Sequence, residues 1–314
     1  MRGVISITDW DWFQYLHAQP GLDEANFWRP TDLGRPRMPP GTPFIFKLKK
    51  KHGGWIVGFG IFAVHVIQPM WRAWEEFEKK NGAATFTEFH RMLATIRQAK
   101  GKDSDPSGSY EIGCILLADP VFFPREVWIP PPADWKDQIV QDRRYDLTEG
   151  EGARIWAHCQ EVARGLPVVA GARERGPLYE GPRHGTPALI RPRMGQGIFR
   201  AAVTDAYGGA CAVTTEHSLP VLEAAHIRPF ADGGEHELSN GILLRTDIHR
   251  LFDRGYVTIT PDMHFRVSRR LKDEFANGKT YYSLDGNQVN SPEASGAGPS
   301  VGLLEWHGRE RFKG

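Results

Sequence analysis

Cysteine is scarce in this sequence: three in 314 residues, Cys114, Cys159 and Cys211, far apart and odd in number. No Cys-x-x-Cys pair occurs, which argues against a structural zinc knot, and the count argues against a disulfide framework. A reducing, cytoplasmic compartment is therefore expected. No apolar run approaches the ~18 residues of a membrane span, and the first residues lack a charged, apolar, cleavable leader; no membrane partner is expected. Net charge is missing too. With 39 Lys and Arg against 38 Asp and Glu, the balance is +1, so the chain as a whole shows no electrostatic footprint for nucleic acid. No internal repeat is present. What remains, 40% hydrophobic and 25% charged, is ordinary globular composition at a length that suits about two domains.

Charge is distributed locally. Residues 164–200 hold seven arginines and two glutamates and no lysine or aspartate, a net of 7 − 2 = +5. A solvated linker would look the same, but a basic stretch beside a phosphate-cleaving site would be a track for DNA. Residues 166–190, rich in Gly, Pro and Arg, read as the linker between a module at 1–165 and another at 191–314.

The second module is organised around Leu222 to Asp253. Val221 to Ile227 reads as a strand, broken by Pro229 and by Asp232-Gly233-Gly234. Gly241 to Leu244 is a second strand. Thr246 is a plausible N-cap, after which Ile248, Leu251 and Phe252 fall at helical spacing. His249 and Asp253 are four apart and share a helical face. Strand, loop, strand and helix, with His226, Asn240, His249 and Asp253 at the joints, make a ββα arrangement. Cys211, in a Cys-Ala-Val-Thr segment, is expected to be a buried packing residue. Tyr256 to Thr260 and His264 to Val267 suggest a hairpin. Asn287 to Ser300 is low in complexity and expected to be disordered. Leu303 to His307 reads as a closing segment.

Ala-His-Ile-Arg-Pro at 225–229, Asn240 and His249 nine residues later resemble the HNH nucleases, the ββα-metal family. The runs Leu-Glu-Ala-Ala-His-Ile, Asn-Gly-Ile-Leu-Leu-Arg and His-Arg-Leu-Phe-Asp-Arg-Gly resemble its restriction-type members. The resemblance implies that His226 is the general base, that Asn240 braces the loop, and that His249 and Asp253 hold a divalent ion (Mg²⁺, Mn²⁺ or another first-row metal). One position departs: many members carry Asp or His just before the base, where this chain has Ala225. Glu223 or Asp247 are then the candidates for a further ligand. The chemistry suits these residue types. Phosphodiester hydrolysis needs a water deprotonated near neutral pH, a task for an imidazole titrating around ~6.5. It also needs positive charge beside the phosphate.

In the first module, Trp10, Trp12, Phe13 and Leu16 mark an amphipathic helix. Phe44, Phe46 and Leu48 alternate as a half-buried strand, His52-Gly53-Gly54 forms a turn, and Trp55 to Val66 returns as its partner. Gly58 and Gly60 inside that strand suggest a bulge or a close approach. Helices are expected over Trp71–Phe77, from Thr85 with Glu88 as a capping box, and from Thr148 with Glu151 as another. Ile112–Phe123 and Arg125–Ile129 read as strands.

Asn26-Phe27-Trp28, Pro40-Gly41-Thr42-Pro43-Phe44 and Gly54-Trp55-Ile56-Val57-Gly58-Phe59-Gly60 resemble the PUA-like superfamily, especially EVE domains. That implies a small β-barrel able to hold a base flipped out of a duplex. Seven of the ten tryptophans lie between Trp10 and Trp128, and most are expected to fill the core. Trp28 and Trp55, flanking the proline loop and the hairpin, are the candidates for a modified-base pocket.

The fold class expected is α+β: an N-terminal PUA-like β-barrel with helices, then a C-terminal ββα-metal nuclease domain. The function expected is a modification-dependent DNA restriction endonuclease acting on modified double-stranded DNA, with 5-methyl- or 5-hydroxymethylcytosine favoured. A sequence-specific or homing-type nuclease and a non-catalytic nucleic-acid reader are the alternatives. A lone site cuts one strand, so double-strand breaks would imply a homodimer or two binding events.

Overall fold

A computed structural model describes residues 1–31, 34, 36, 38–139, 141–166, 194–292 and 298–314. The expected linker over 166–190 lies outside these residues apart from Leu166, as does most of the arginine-rich stretch. Contacts divide the chain into Met1–Ile198 and Phe199–Gly314, each described on its own below.

The first unit is built on a six-stranded sheet in the order β2-β5-β4-β3-β1-β6. Its strands are β1 (Arg2–Thr8), β2 (Glu24–Arg29), β3 (Pro43–Leu48), β4 (Ile56–Pro69), β5 (Glu111–Phe122) and β6 (Asp142–Asp146). β1 is parallel to β3, and the other pairings are antiparallel. The predicted hairpin joins β3 to β4 through Gly53 and Gly54, at φ +85° and +68°, where glycine meets no Cβ penalty. Gly58 marks a close approach: a Cβ there would collide with the Val121 carbonyl oxygen of β5. The β3/β4 and β4/β5 registers both shift nearby.

Among the described residues no closed barrel is found. The end strands β2 and β6 are not neighbours in the sheet, but an ion pair connects them, Arg29 Nη2 to Asp142 Oδ2 at 3.1 Å. α1 (Trp10–His17) is capped by Asp9, whose carboxylate accepts from the Asp11 and Trp12 N–H groups. Trp12 is buried, donates its indole N–H to the Asn26 carbonyl at 3.0 Å, and meets Phe27 and Phe46 edge-on. It fills the core, as most of the tryptophans were expected to.

α2 (Met70–Phe77) and α3 (Phe86–Ala99) follow, and the Thr85 hydroxyl caps α3 by accepting from Glu88 N at 3.2 Å. The second expected capping box does not form at α4 (Gly150–Gly165). The Thr148 hydroxyl turns back to Asp146, and the Glu151 carboxylate takes the Ala133 N–H and Arg154. Residues 125–129 form a short turn in place of the expected strand, with only Ile129 bridging Ile56.

In the second unit, β7 (Leu222–His226) pairs antiparallel with β8 (Gly241–Arg245), placing His226 opposite Gly241. α6 (Thr246–Asp253) follows directly, and β9 (Val257–Ile259) pairs with β10 (Phe265–Val267) as the expected hairpin. Thr246 is not the cap of α6. That position is Arg245, and the Thr246 hydroxyl bonds the Val221 carbonyl at 3.0 Å. α5 (Gln196–Ala206), α7 (Arg270–Phe275), α8 (Lys279–Tyr282) and α9 (Val301–Glu310) complete the described elements.

Phe199, Val203, Cys211, Ala225, Ile242, Leu244, Ile248 and Phe252 share one core, so Cys211 packs as expected. Within 287–300, expected to be disordered, residues 287–292 and 298–300 are described and several are tied down. Val289 is buried, and Asn290 N–H bonds the Ala212 carbonyl at 2.9 Å. A single apolar residue in a polar stretch supplies the anchor, a signal too small for composition to register.

Candidate active site

The loop between β7 and β8 is closed by one side chain. Asn240, 2% exposed, accepts from Arg228 N at 2.9 Å and donates to the carbonyls of Arg228 (3.0 Å) and Glu235 (2.9 Å). Its own carbonyl accepts from Ile227 N at 2.9 Å. Three side-chain bonds to backbone groups thus span the loop. The Gly233-Gly234 pair is required by the same geometry. Gly233 sits at φ +83°, and a Cβ on Gly234 would collide with the Arg228 carbonyl oxygen beside Asn240 Nδ2.

This brace fixes the chain where β7 ends, at His226. The imidazole stacks on Phe199 of α5, with centroids 4.0 Å apart and planes 14° from parallel. Its Nε2 lies 2.9 Å from Nδ1 of His236, and His236 in turn stacks on Phe230 at 5.3 Å. Burial, and then the neighbouring His236, His249 and Arg200, push the His226 imidazole down to about 4. It is therefore neutral at physiological pH, the state in which a ring nitrogen can accept a proton. The sequence reading did not pick out His236, whose place beside His226 depends on the path of the braced loop. A second histidine four residues before Asn240 was the only available signal.

On α6, His249 Nε2 and Asp253 Oδ2 lie 3.4 Å apart, as their spacing predicted. The other ring nitrogen, Nδ1, is 2.7 Å from Glu223 Oε2 on β7. The Nδ1–H can donate to the Glu223 carboxylate, and Nε2 is the ring nitrogen on the Asp253 side. Among the described residues no group of three or more His, Cys, Asp or Glu side chains converges to hold a metal ion. A two-residue site does fit the donor chemistry. Two ligands about 2.1 Å from one cation sit roughly 3–3.5 Å apart, and a carboxylate on the remote nitrogen is the usual partner of a metal-bound imidazole.

Ala225 offers no ligand atom: its methyl is fully buried in the core, on the strand opposite Ile242. Asp247 is also committed elsewhere: its carboxylate takes Arg245 at 2.7 and 2.8 Å and the Tyr281 hydroxyl at 3.1 Å. Of Glu223 and Asp247, Glu223 is the one in contact with His249.

The first unit holds a cavity of about 200 Å³. Trp12, Phe27 and Trp28 line it together with polar groups that include Asp9, Arg29 and Gln141. Trp28 is thus one wall, its indole N–H anchored on the Asn81 carbonyl at 2.9 Å. Trp55 is not part of that wall; it is 37% exposed at the hairpin.

No curated protein matches the chain. A modification-dependent TagI restriction endonuclease of known structure is similar over 87% of this chain, at 13% identity and a TM-score of 0.30. The match covers 62% of that protein's chain. The family model for HNH endonucleases matches residues 211–260, a span that contains β7, the braced loop, β8 and α6. The second unit of this chain therefore carries an HNH endonuclease domain.

Proposed function

We propose that the chain is a modification-dependent DNA restriction endonuclease, in which the first unit binds a modified base turned out of the duplex and the second hydrolyses phosphodiester bonds. The observation that carries the nuclease half is a neutral, stacked His226 in the same ββα unit as the His249–Asp253 pair. In this reading His226 takes the proton of the attacking water. Asn240 keeps the end of β7 and its loop fixed, and so keeps the imidazole aimed. His249 Nε2 and Asp253 would hold a divalent cation, with Glu223 orienting the ring. Such an ion supplies positive charge where negative charge builds on the phosphoryl and leaving oxygens.

The recognition half rests on the cavity and on the resemblance to PUA-like and EVE domains. Contacts to phosphate and sugar carry no sequence information, so a nuclease core of this kind needs a separate reader. At about 200 Å³ the cavity is smaller than the ~300–1,000 Å³ of drug-sized sites, which suits a single base. Aromatic walls at Trp28 and Phe27 offer stacking. The Asp9 carboxylate, 3.4 Å from Lys49 Nζ, offers an acceptor for an exocyclic amino group. A methyl group in such a pocket is worth ~1–3 kcal/mol, or roughly 10–200-fold in discrimination. The partner is then modified double-stranded DNA, with 5-methyl- or 5-hydroxymethylcytosine favoured, and the protein is cytoplasmic. Residues 164–200 would serve as the electrostatic track, and a homodimer or two binding events would cut both strands.

Incubating cytosine-modified and unmodified copies of one plasmid with the protein and Mg²⁺, Mn²⁺ or Ni²⁺ tests both halves. Cutting of the modified copy alone is expected. Equal cutting of both would leave a nuclease without modification dependence, and no cutting under any metal would leave only a binding protein.

A further inference from the structure

The contact between His226 and His236 has a chemical consequence. A neutral imidazole has one donor and one acceptor nitrogen, and the two facing nitrogens, His226 Nε2 and His236 Nδ1, are 2.9 Å apart. One of them must donate. If His236 donated, the lone pair on His226 Nε2 would be engaged and its Nδ1 would carry the other hydrogen. No lone pair would then be left for water. If His226 donates, its Nδ1 lone pair is free. That atom has no hydrogen-bond partner among the described residues.

We infer that His236 is a positioning residue for the proposed base: it accepts the Nε2–H of His226 and holds that ring in the tautomer whose Nδ1 takes the proton of water. The inference rests on His226 acting as the base. The water O–H bond breaks with its proton going to Nδ1, and the oxygen bonds phosphorus. The P–O bond to the leaving group breaks with its electron pair on the departing oxygen, which solvent protonates. As Nδ1 gains its proton, the Nε2–H···Nδ1 bond becomes charge-assisted and tightens, which stabilises the imidazolium as it forms.

The surroundings are built to hold this pair. Phe199 stacks on one ring and Phe230 on the other, and the rings meet with centroids 5.1 Å apart at 57°. The residue before His236 is Glu235, whose carbonyl is one of the three groups tied by Asn240. The same brace thus sets both histidines. A His236 that merely filled space would be replaceable by any flat ring.

Two variants of the full chain separate these roles. His236→Phe keeps a ring against Phe230 and removes the acceptor; His236→Asn keeps an acceptor oxygen near the Nδ1 position and loses the ring. The readouts are kcat and KM for plasmid cleavage, and the ring-nitrogen NMR signals of His226, assigned by their absence in His226→Ala. His236→Phe should lower kcat by about 10–100-fold, the range typical of losing such an orienting partner, with KM within a few-fold. Its His226 signals should move from a single Nε2–H form towards a mixture. His236→Asn should recover most of the rate. Wild-type kcat and unchanged tautomer signals in His236→Phe would overturn the inference and leave the nuclease reading intact, provided His226→Ala has lost activity. Wild-type cutting by His226→Ala would instead overturn the assignment of the base, and this inference with it.

Discussion

Two histidines of the second unit, held against aromatic rings, resist taking a second proton. His226 is one. His307 on α9 is the other: it stacks on Phe252 at 3.7 Å, and both ring nitrogens are engaged, Nε2 with the Phe252 carbonyl and Nδ1 with the Thr258 hydroxyl. Burial first, and then the Arg311 charge, push His307 down to about 4 against the hydrogen bond to Phe252, which raises it. Both residues have ordinary values near ~6.5 when unfolded. Between about 6.5 and about 4 the unfolded chain therefore binds protons that the folded unit does not. The stabilisation is fully present above about 6.5 and is lost as pH falls through that window. Urea midpoints of the second unit should drop between pH 7 and pH 4.5, and His307→Phe should make the drop shallower. An equally steep drop in that variant would contradict the assignment.

The two carboxylates on α6 make opposite predictions. Asp253 faces the His249 Nε2, whereas Asp247 is tied to Arg245 and Tyr281. Titration calorimetry with Mn²⁺ should show at least about tenfold weaker binding in Asp253→Asn. Asp247→Asn should bind as wild type while losing about 1 kcal/mol of stability. Unchanged metal affinity in both Asp253→Asn and His249→Ala would place the ion elsewhere.

At the scale of elements, the ββα unit was the most legible part of the sequence. Each of its key residues is fixed by local spacing: His226 ends a strand, Asn240 precedes the next, and His249 and Asp253 fall one helical turn apart. The β3–β4 hairpin was legible for the same reason, through alternation and two glycines. What escaped depends on groups distant in sequence. The Thr148/Glu151 pair matched a capping box, but Asp146, Ala133 and Arg154 compete for its side chains. β6, with its sequence Asp-Arg-Arg-Tyr-Asp, has no apolar alternation, and it exists because β1 offers it an edge. His236 is of the same kind, since only the course of the loop brings it to His226. That course depends on Asn240 and Gly234. Asn240→Ala would leave three backbone groups unpaired and should cost about 1–3 kcal/mol. Gly234→Ala, which meets the Arg228 carbonyl oxygen, should be destabilising as well. Denaturant unfolding of the full chain measures both. Either variant matching wild type would show that the loop is not braced as described.

Across the whole molecule, recognition and hydrolysis are proposed to be divided between the two units. Among the described residues no helix is long and apolar enough to cross a membrane. Trp28 lines the cavity and Trp55 does not, so the two tryptophans singled out by sequence now carry different expectations. In competition binding by the full chain without metal, Trp28→Phe should reduce the preference for a 5-methylcytosine duplex several-fold, and Trp55→Ala should leave it unchanged. Equal preference in wild type for modified and plain duplexes would remove the recognition half.

His226, in the same ββα unit as Asn240, His249 and Asp253, is proposed to make this domain a working nuclease. Cleavage of cytosine-modified supercoiled plasmid by wild type and by His226→Ala, at saturating DNA and Mn²⁺, tests it most directly. The predicted result is a loss of about 10²–10⁴-fold in rate, the usual cost of removing a general base, with DNA affinity within a few-fold of wild type. Cleavage by His226→Ala at the wild-type rate would contradict it.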